Sequence, residues 1–224
     1  MFEMDGSLMM IETRAVPPFQ KNGYVVGCEK TREAVLIDPG DEVEQLLQVV
    51  TEQSLHVRSI LLTHAHVDHV TGVPRARQAL QVPVYLHRED LFLYEAAPQQ
   101  AAFFGLHCED LPAIDRYYDL SESFSFGGYE ISVHHTPGHC PGGVCLAIGA
   151  QGAGKEDLFV GDTLFAGSIG RTDLPGGDYA TLIRSITQVL FSFGDAARVF
   201  SGHGPQTTIG QERRNNPFLQ APSR

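Results

Sequence analysis

The chain has 224 residues, 42% of them hydrophobic and 19% charged, a composition that suits a globular domain and excludes a disordered one. Acids outnumber bases 27 to 16, and the formal charge of −11 repels phosphate backbones and anionic membrane, so neither nucleic acid nor a membrane is expected as a partner. No apolar run approaches the ~18 residues of a membrane span, and Met1–Asp5 carries no basic, apolar leader. Cys28, Cys108, Cys140 and Cys145 show no C-x-x-C spacing, so reduced thiols and a cytoplasmic location are expected.

Tyr24-Val25-Val26 and Ala34 to Ile37 have the composition of early strands, the second stopped by Asp38-Pro39-Gly40. Asp41, three before Glu44, suits a cap ahead of Val43, Leu46, Leu47 and Val50 at helical spacing. Ser59 to Leu62 is a buried-strand candidate running straight into Thr63-His64. A helix is expected over about Val73 to Leu80 and a strand over Val82 to Leu86. Strand-like runs recur at Tyr129–Thr136, Val144–Ile148, Leu158–Val160 and Val199–Ser201. Asp178 can cap a helix carrying Leu182, Ile183, Ile186, Val189 and Leu190. With 23 Gly and 13 Pro separating short elements and no linker or repeat, periodicity supports one α/β or α+β domain.

The chemistry concentrates in His64-Ala65-His66-Val67-Asp68-His69. Extended backbone sends side chains at i and i+2 to the same side, so His64 and His66 can converge on one ion. A turn would aim Asp68 and His69 at a second. Imidazole and carboxylate suit zinc, with iron or manganese as alternatives. His139, Asp162 and His203 also end strand-like runs, each beside glycines that permit close backbone approach. These positions make five histidines and two aspartates, enough for two ions. Cys140 is the competing nucleophile, but on extended backbone it faces away from its neighbour His139. Ser168 and Ser201 lack a G-x-S-x-G context.

Thr63–His69, Thr136–His139, Gly161-Asp162, Gly170-Arg171-Thr172-Asp173 and Gly202-His203-Gly204-Pro205 together make the chain resemble the metallo-β-lactamase-fold hydrolases, and among them the small bacterial glyoxalase II-like group. The resemblance covers nearly all of residues 1–224. It implies a single-domain four-layer αββα sandwich with two divalent cations at one edge. By it, His64, His66 and His139 hold one ion, Asp68, His69 and His203 the other, and Asp162 bridges. Such ions share a water, lower its pKa to give a hydroxide nucleophile, and polarise a carbonyl. Asp68 has a second, catalytic role in orienting the nucleophile or taking its proton. Arg171, in a Gly-rich loop, is a candidate to bind a substrate carboxylate, with a salt bridge to Asp173 as its competing role.

Two departures narrow the reading. The commonest metallo-β-lactamases place a Cys ligand where this chain has Asp162, which disfavours β-lactams. The larger glyoxalase II enzymes add a C-terminal helical extension that binds glutathione, and this sequence ends about twenty residues after His203. The resemblance therefore implies hydrolysis of a small thioester, S-lactoylglutathione being the family substrate. Two further enzymes remain open. One is a persulfide dioxygenase with a single iron on His64, His139 and Asp162, and the other is a lactonase on the same ions. The segment Gly202–Pro205 and the tail Glu212–Phe218 match the small glyoxalase II-like pattern better. A scaffold keeping metal for stability would be Cys-rich and closed, unlike this His/Asp set.

Overall fold

A computed structural model describes residues 8–103, 105, 107–152 and 154–220. Met1–Asp5, where the sequence gives no expectation of a leader, lies outside the described residues. Among the described residues, two six-stranded sheets and a two-stranded one form the framework. The first sheet orders β1 (Met9–Arg14), β2 (Gly23–Cys28), β3 (Glu33–Ile37), β4 (His56–Leu61), β5 (Val84–Leu86) and β6 (Arg116–Tyr117) side by side. Its first three strands pair antiparallel, and β3 to β6 run parallel. The second sheet takes β7 (Phe124–Phe126), β8 (Tyr129–His135), β9 (Val144–Ala150), β10 (Glu156–Gly161), β13 (Arg198–Ser201) and β14 (Thr207–Thr208). Within it β10 and β13 are parallel neighbours, while β11 (Leu164–Phe165) and β12 (Ser168–Ile169) pair separately.

Among the described residues six α-helices accompany them: α1 (Val43–Glu52), α2 (Val67–Val70), α3 (Val73–Leu80), α4 (Leu91–Phe103), α5 (Tyr179–Arg184) and α6 (Ile209–Asn215). Alternation along the strands sorts the apolar side chains into three buried layers. Val25, Leu36 and Ile60 face α1, α3 and α4, while Tyr24, Val26, Val35, Ile37 and Leu61 face the other sheet and meet Ile131, Leu146, Phe159 and Phe200. Cys145, Ala147 and Leu158 point outward against Leu182, Ile186 and Ile209. Three apolar layers between four layers of structure make an αββα sandwich. At about 1.5–3 kcal/mol for each fully buried large apolar side chain, these layers carry most of the stability.

The sequence-based elements recur with small changes. Asp178 caps α5 by accepting from Thr181 N at 2.7 Å, and the helix continues through a π turn and a 3₁₀ turn to Ser192. The expected cap at Asp41 is not formed. The helix begins at Glu42 without a side-chain cap, and Asp41 instead accepts from Thr71 Oγ1 at 2.7 Å. Helices α4 and α6 were not expected. No helix among the described residues is long and apolar enough to cross a membrane.

Candidate metal centre

The ends of five strands meet at one edge. Strand β3 delivers Asp38, β4 the segment Thr63–His69, β8 the loop to His139, β10 Asp162 and β13 His203. Parallel pairing of β10 with β13 brings Gly161 opposite Ser201, and Gly202 N donates to Gly161 O at 2.8 Å, so Asp162 and His203 emerge together. The chain turns at Gly161 with φ +51°, and a Cβ there would collide with the Thr63 hydroxyl. A Cβ on Gly202 would strike Asp162 Oδ1 and the His69 ring. Glycine at both positions lets strands from the two sheets deliver ligands into one space.

His66 is extended and opens α2, so the helical turn that follows carries Asp68 and His69 round to the far side of the His64/His66 pair. All seven positions converge. Candidate ligand atoms of His64, His66 and His139 lie within 4.8 Å of one another, as do those of Asp68, His69 and His203. Asp162 stands between the two groups. Its Oδ1 is 3.4 Å from His69 Nε2, and its Oδ2 is 3.7 Å from His139 Nε2 and 3.5 Å from His203 Nε2. Asp68 Oδ2 lies 3.1 Å from His203 Nε2.

The second nitrogen of three imidazoles is held by protein groups. His69 Nδ1 donates to Asp38 Oδ2 at 3.0 Å, and His139 Nδ1 donates to Arg171 O at 2.7 Å. His64 Nδ1 lies 3.1 Å from Thr63 Oγ1, which in turn donates to Asp38 Oδ2 at 2.6 Å. These bonds fix the tautomers and turn the Nε2 atoms of His64, His69 and His139 inward. Among the described residues, the buried side-chain nitrogen and oxygen atoms lacking a hydrogen-bond partner are His64 Nε2, His66 Nε2, His69 Nε2 and Asp162 Oδ1. All four belong to this cluster. Buried polar atoms without partners are rare in folded proteins, and a concentration of them on imidazole and carboxylate fits divalent cations.

Electrostatics agree. Burial pushes His64 well below its ordinary value and His66 down to about 3, leaving both neutral and able to donate a lone pair. Burial also opposes charge on His69, but Asp68, Asp162 and Asp38 overcome it and hold that imidazole at about 10. His203 rises to about 9 because hydrogen bonds to Asp162 and Asp68 outweigh its burial. Burial would raise Asp162, yet His69 and His203 keep it well below the usual carboxylate range. The carboxylates thus draw protons onto His69 and His203, the positive charge that dications would otherwise supply.

Three buried supports escaped the sequence reading. Asp38, at φ +48°, binds Thr63 N at 2.7 Å as well as Thr63 Oγ1 and His69. Asp90, fully buried, accepts from Ala65 N at 3.1 Å, Gly142 N at 2.5 Å and Cys140 Sγ at 3.1 Å, tying the His64–His66 loop to the His139 loop. Lys21, also buried, donates to Asp38 O and pairs with Glu42 Oε1 at 2.5 Å. Asp38 lies in a turn-like stretch and Lys21 and Asp90 in polar ones, so no local pattern marks their burial. Cys140 is fully buried, and burial drives its thiol well above the ordinary value, so it serves Asp90 and offers no thiolate. His135 Nε2 donates to Pro141 O at 2.8 Å in the loop after His139, and His134 contacts Ser132 and Phe193 away from the cluster.

A cavity of about 540 Å³ opens over the cluster, lined by His66, Asp68, His139, Asp162 and His203 on its floor. Arg171 also lines it, but its guanidinium makes two 2.7 Å bonds to Asp173.

The profile of the metallo-beta-lactamase superfamily matches residues 16–203. The chain is 42% identical over 217 residues to hydroxyacylglutathione hydrolase GloC of Haemophilus influenzae, covering 96% of this chain and 100% of that one. Among solved structures it superposes on BLEG-1 B3 metallo-beta-lactamase with a TM-score of 0.85 at 38% identity, covering 95% of this chain and 100% of the other. TTHA1623 in a di-iron-bound form gives a TM-score of 0.81 at 43% identity, with 93% and 100% covered.

Proposed function

The chain belongs to the metallo-β-lactamase superfamily, a family of metal-dependent hydrolases, and on that premise we propose that it is a glyoxalase II-like enzyme hydrolysing a small thioester. The observation that carries this reading is a pair of histidine-rich groups sharing one carboxylate, Asp162, with their unpartnered atoms beneath a single cavity. Support for the thioester comes from the match to hydroxyacylglutathione hydrolase GloC along that protein's whole length.

In this reading His64, His66 and His139 would hold one divalent cation and Asp68, His69 and His203 a second, with Asp162 within reach of both groups. Zinc, iron and manganese all suit the donor set. Bound there, such cations would supply a water of lowered pKa and a Lewis acid for the substrate carbonyl. The remaining work falls to the chain. Asp38 and Thr63 keep His69 and His64 in the ligating tautomer, and the Arg171 carbonyl does so for His139. Asp68 lines the cavity beside His203, orients the attacking water and takes its proton as the oxygen adds to the acyl carbon. The C–S bond then breaks, and a thiolate leaves without help from a general acid.

Metal analysis coupled to turnover tests the proposal. Two ions per chain and hydrolysis of S-lactoylglutathione are expected, with losses of about a hundredfold or more in His66→Ala and Asp68→Ala. One iron per chain with oxygen uptake on glutathione persulfide, or preferential opening of a β-lactam, would overturn it.

A further inference from the structure

The cavity has two chemically distinct parts. Its floor is the His/Asp cluster. Its wall consists of Phe19, Val67, Leu93, Phe103, Leu174 and Pro175, broken only by Gln100 and Arg171. Arg171 is the sole lysine or arginine among the described lining residues, and its Nε and Nη2 each donate to Asp173 at 2.7 Å. That pair is neutral as a unit. Lys21, the one buried lysine or arginine among the described residues, is committed to Glu42 and to the Asp38 carbonyl.

A substrate bound by its reacting carbonyl must lay the rest of itself along this wall. A carboxylate set against Leu93 or Leu174 would lose part of its hydration and gain no partner, a penalty that disfavours it against neutral competitors. An alkyl chain would gain from the same contacts. About 540 Å³ lies in the range of cavities that enclose most of a drug-sized ligand. Gln100, half-buried, offers an amide donor and acceptor suited to an uncharged amide.

We infer that the preferred substrate is a neutral thioester whose parts remote from the scissile carbonyl are apolar or amide-bearing, and that thioesters of carboxylate-bearing thiols such as glutathione are its poorer substrates. The thioester half of this assignment rests on the hydrolase activity proposed above, and the apolar half rests on the cavity wall alone. In the reaction, a water oxygen bonds to the acyl carbon and the C–S bond breaks with its electron pair on sulfur. The water's hydrogens end on the acid and the thiol. Arg171 becomes available to a substrate carboxylate only when Asp173 releases it.

Calorimetry with non-hydrolysable thioethers on the metal-loaded protein separates the two halves. S-hexyl-N-acetylcysteamine is expected to bind about tenfold tighter than S-hexylglutathione, and shortening the alkyl chain to be worth about fourfold in affinity per methylene removed. Asp173→Asn is expected to strengthen binding of S-hexylglutathione while leaving the neutral thioether unchanged. S-hexylglutathione binding as tightly or more tightly in the unaltered protein, or an affinity indifferent to alkyl length, overturns the inference. Turnover of the hexanoyl thioesters of the same two thiols is measured alongside. Preferential hydrolysis of the neutral one supports both halves. If neither ester is cleaved while the thioether preference holds, the hydrolase reading falls and the apolar specificity stands.

Discussion

Replacing Asp90 with alanine tests whether the centre depends on a carboxylate that touches no candidate ligand. Its two oxygens accept from two backbone amides and one thiol, on loops carrying His64, His66 and His139, and all three donors are buried. Alanine leaves these donors unsatisfied, at about 1–3 kcal/mol each for the amides and less for the weakly polar thiol. A total of about 3–5 kcal/mol corresponds to a Tm lower by roughly 10 °C in a chain of this size. Supporting bonds of this kind are worth about 10–100-fold in metal affinity. Asp90→Asn keeps one acceptor oxygen and should lose less on both counts. Thermal denaturation and competition with a metal-chelating dye give the two readouts. If Asp90→Ala lowers Tm but binds metal as tightly as the unaltered chain, Asp90 merely stabilises the fold and the positioning argument fails.

Lys21→Met should cost about 3–5 kcal/mol in urea denaturation, because it strands the buried Glu42 carboxylate beside Gly40. Lys21→Met with Glu42→Leu should recover much of that loss, and a double variant no more stable than the single would count against the ion pair as the cause. The pH dependence of stability offers a separate check at His134, whose pKa burial lowers. A folded-state value below the unfolded one, about 6.5, means that the unfolded chain binds the proton more readily. The contribution of His134 is therefore complete above about pH 6.5 and is lost as the pH falls from there towards the lowered folded value. His134→Gln should flatten the profile of the metal-free protein over that window, and an unchanged slope would refute the assignment.

The sequence and the structure part company where burial has no local signature. His64 to His69 was legible because the strand before it, Ser59 to Leu62, is uniformly apolar and the ligands are dense enough to exclude chance. Asp162 and His203 were legible because each follows a strand and a glycine. Asp38 was read as part of a turn. It is that, but its left-handed backbone also buries its carboxylate under Thr63 and His69. In Arg88-Glu89-Asp90 nothing in the spacing says that Glu89 is exposed while Asp90 is fully buried. Helix α4 was missed for a more telling reason. A helix with one wet face shows a 3.6-residue period, whereas α4 packs Tyr94, Ala97 and Ala101 into the core and also presents Leu93 and Phe103 to the cavity. The absent period reflects an apolar surface facing substrate space as well as core.

The ligand set on its own serves a one-ion or a two-ion centre, and the energetics of the unpartnered atoms separate them. A single ion on His64, His139 and Asp162 leaves His69 Nε2 buried without a hydrogen-bond partner, at about 1–3 kcal/mol. It also leaves Asp68 and His203 paired at 3.1 Å with no task at the cavity floor. A second ion takes all three into its coordination. The bonds that orient His69 from behind, through Asp38 and the Lys21–Glu42 pair beneath it, would otherwise maintain an imidazole geometry with nothing to coordinate. The support given to His69 Nε2 favours the proposed second ion, and two ions with Asp162 in reach of both groups would suit the proposed hydrolysis. On the proposed function, the apolar wall above would set which thioester reaches it.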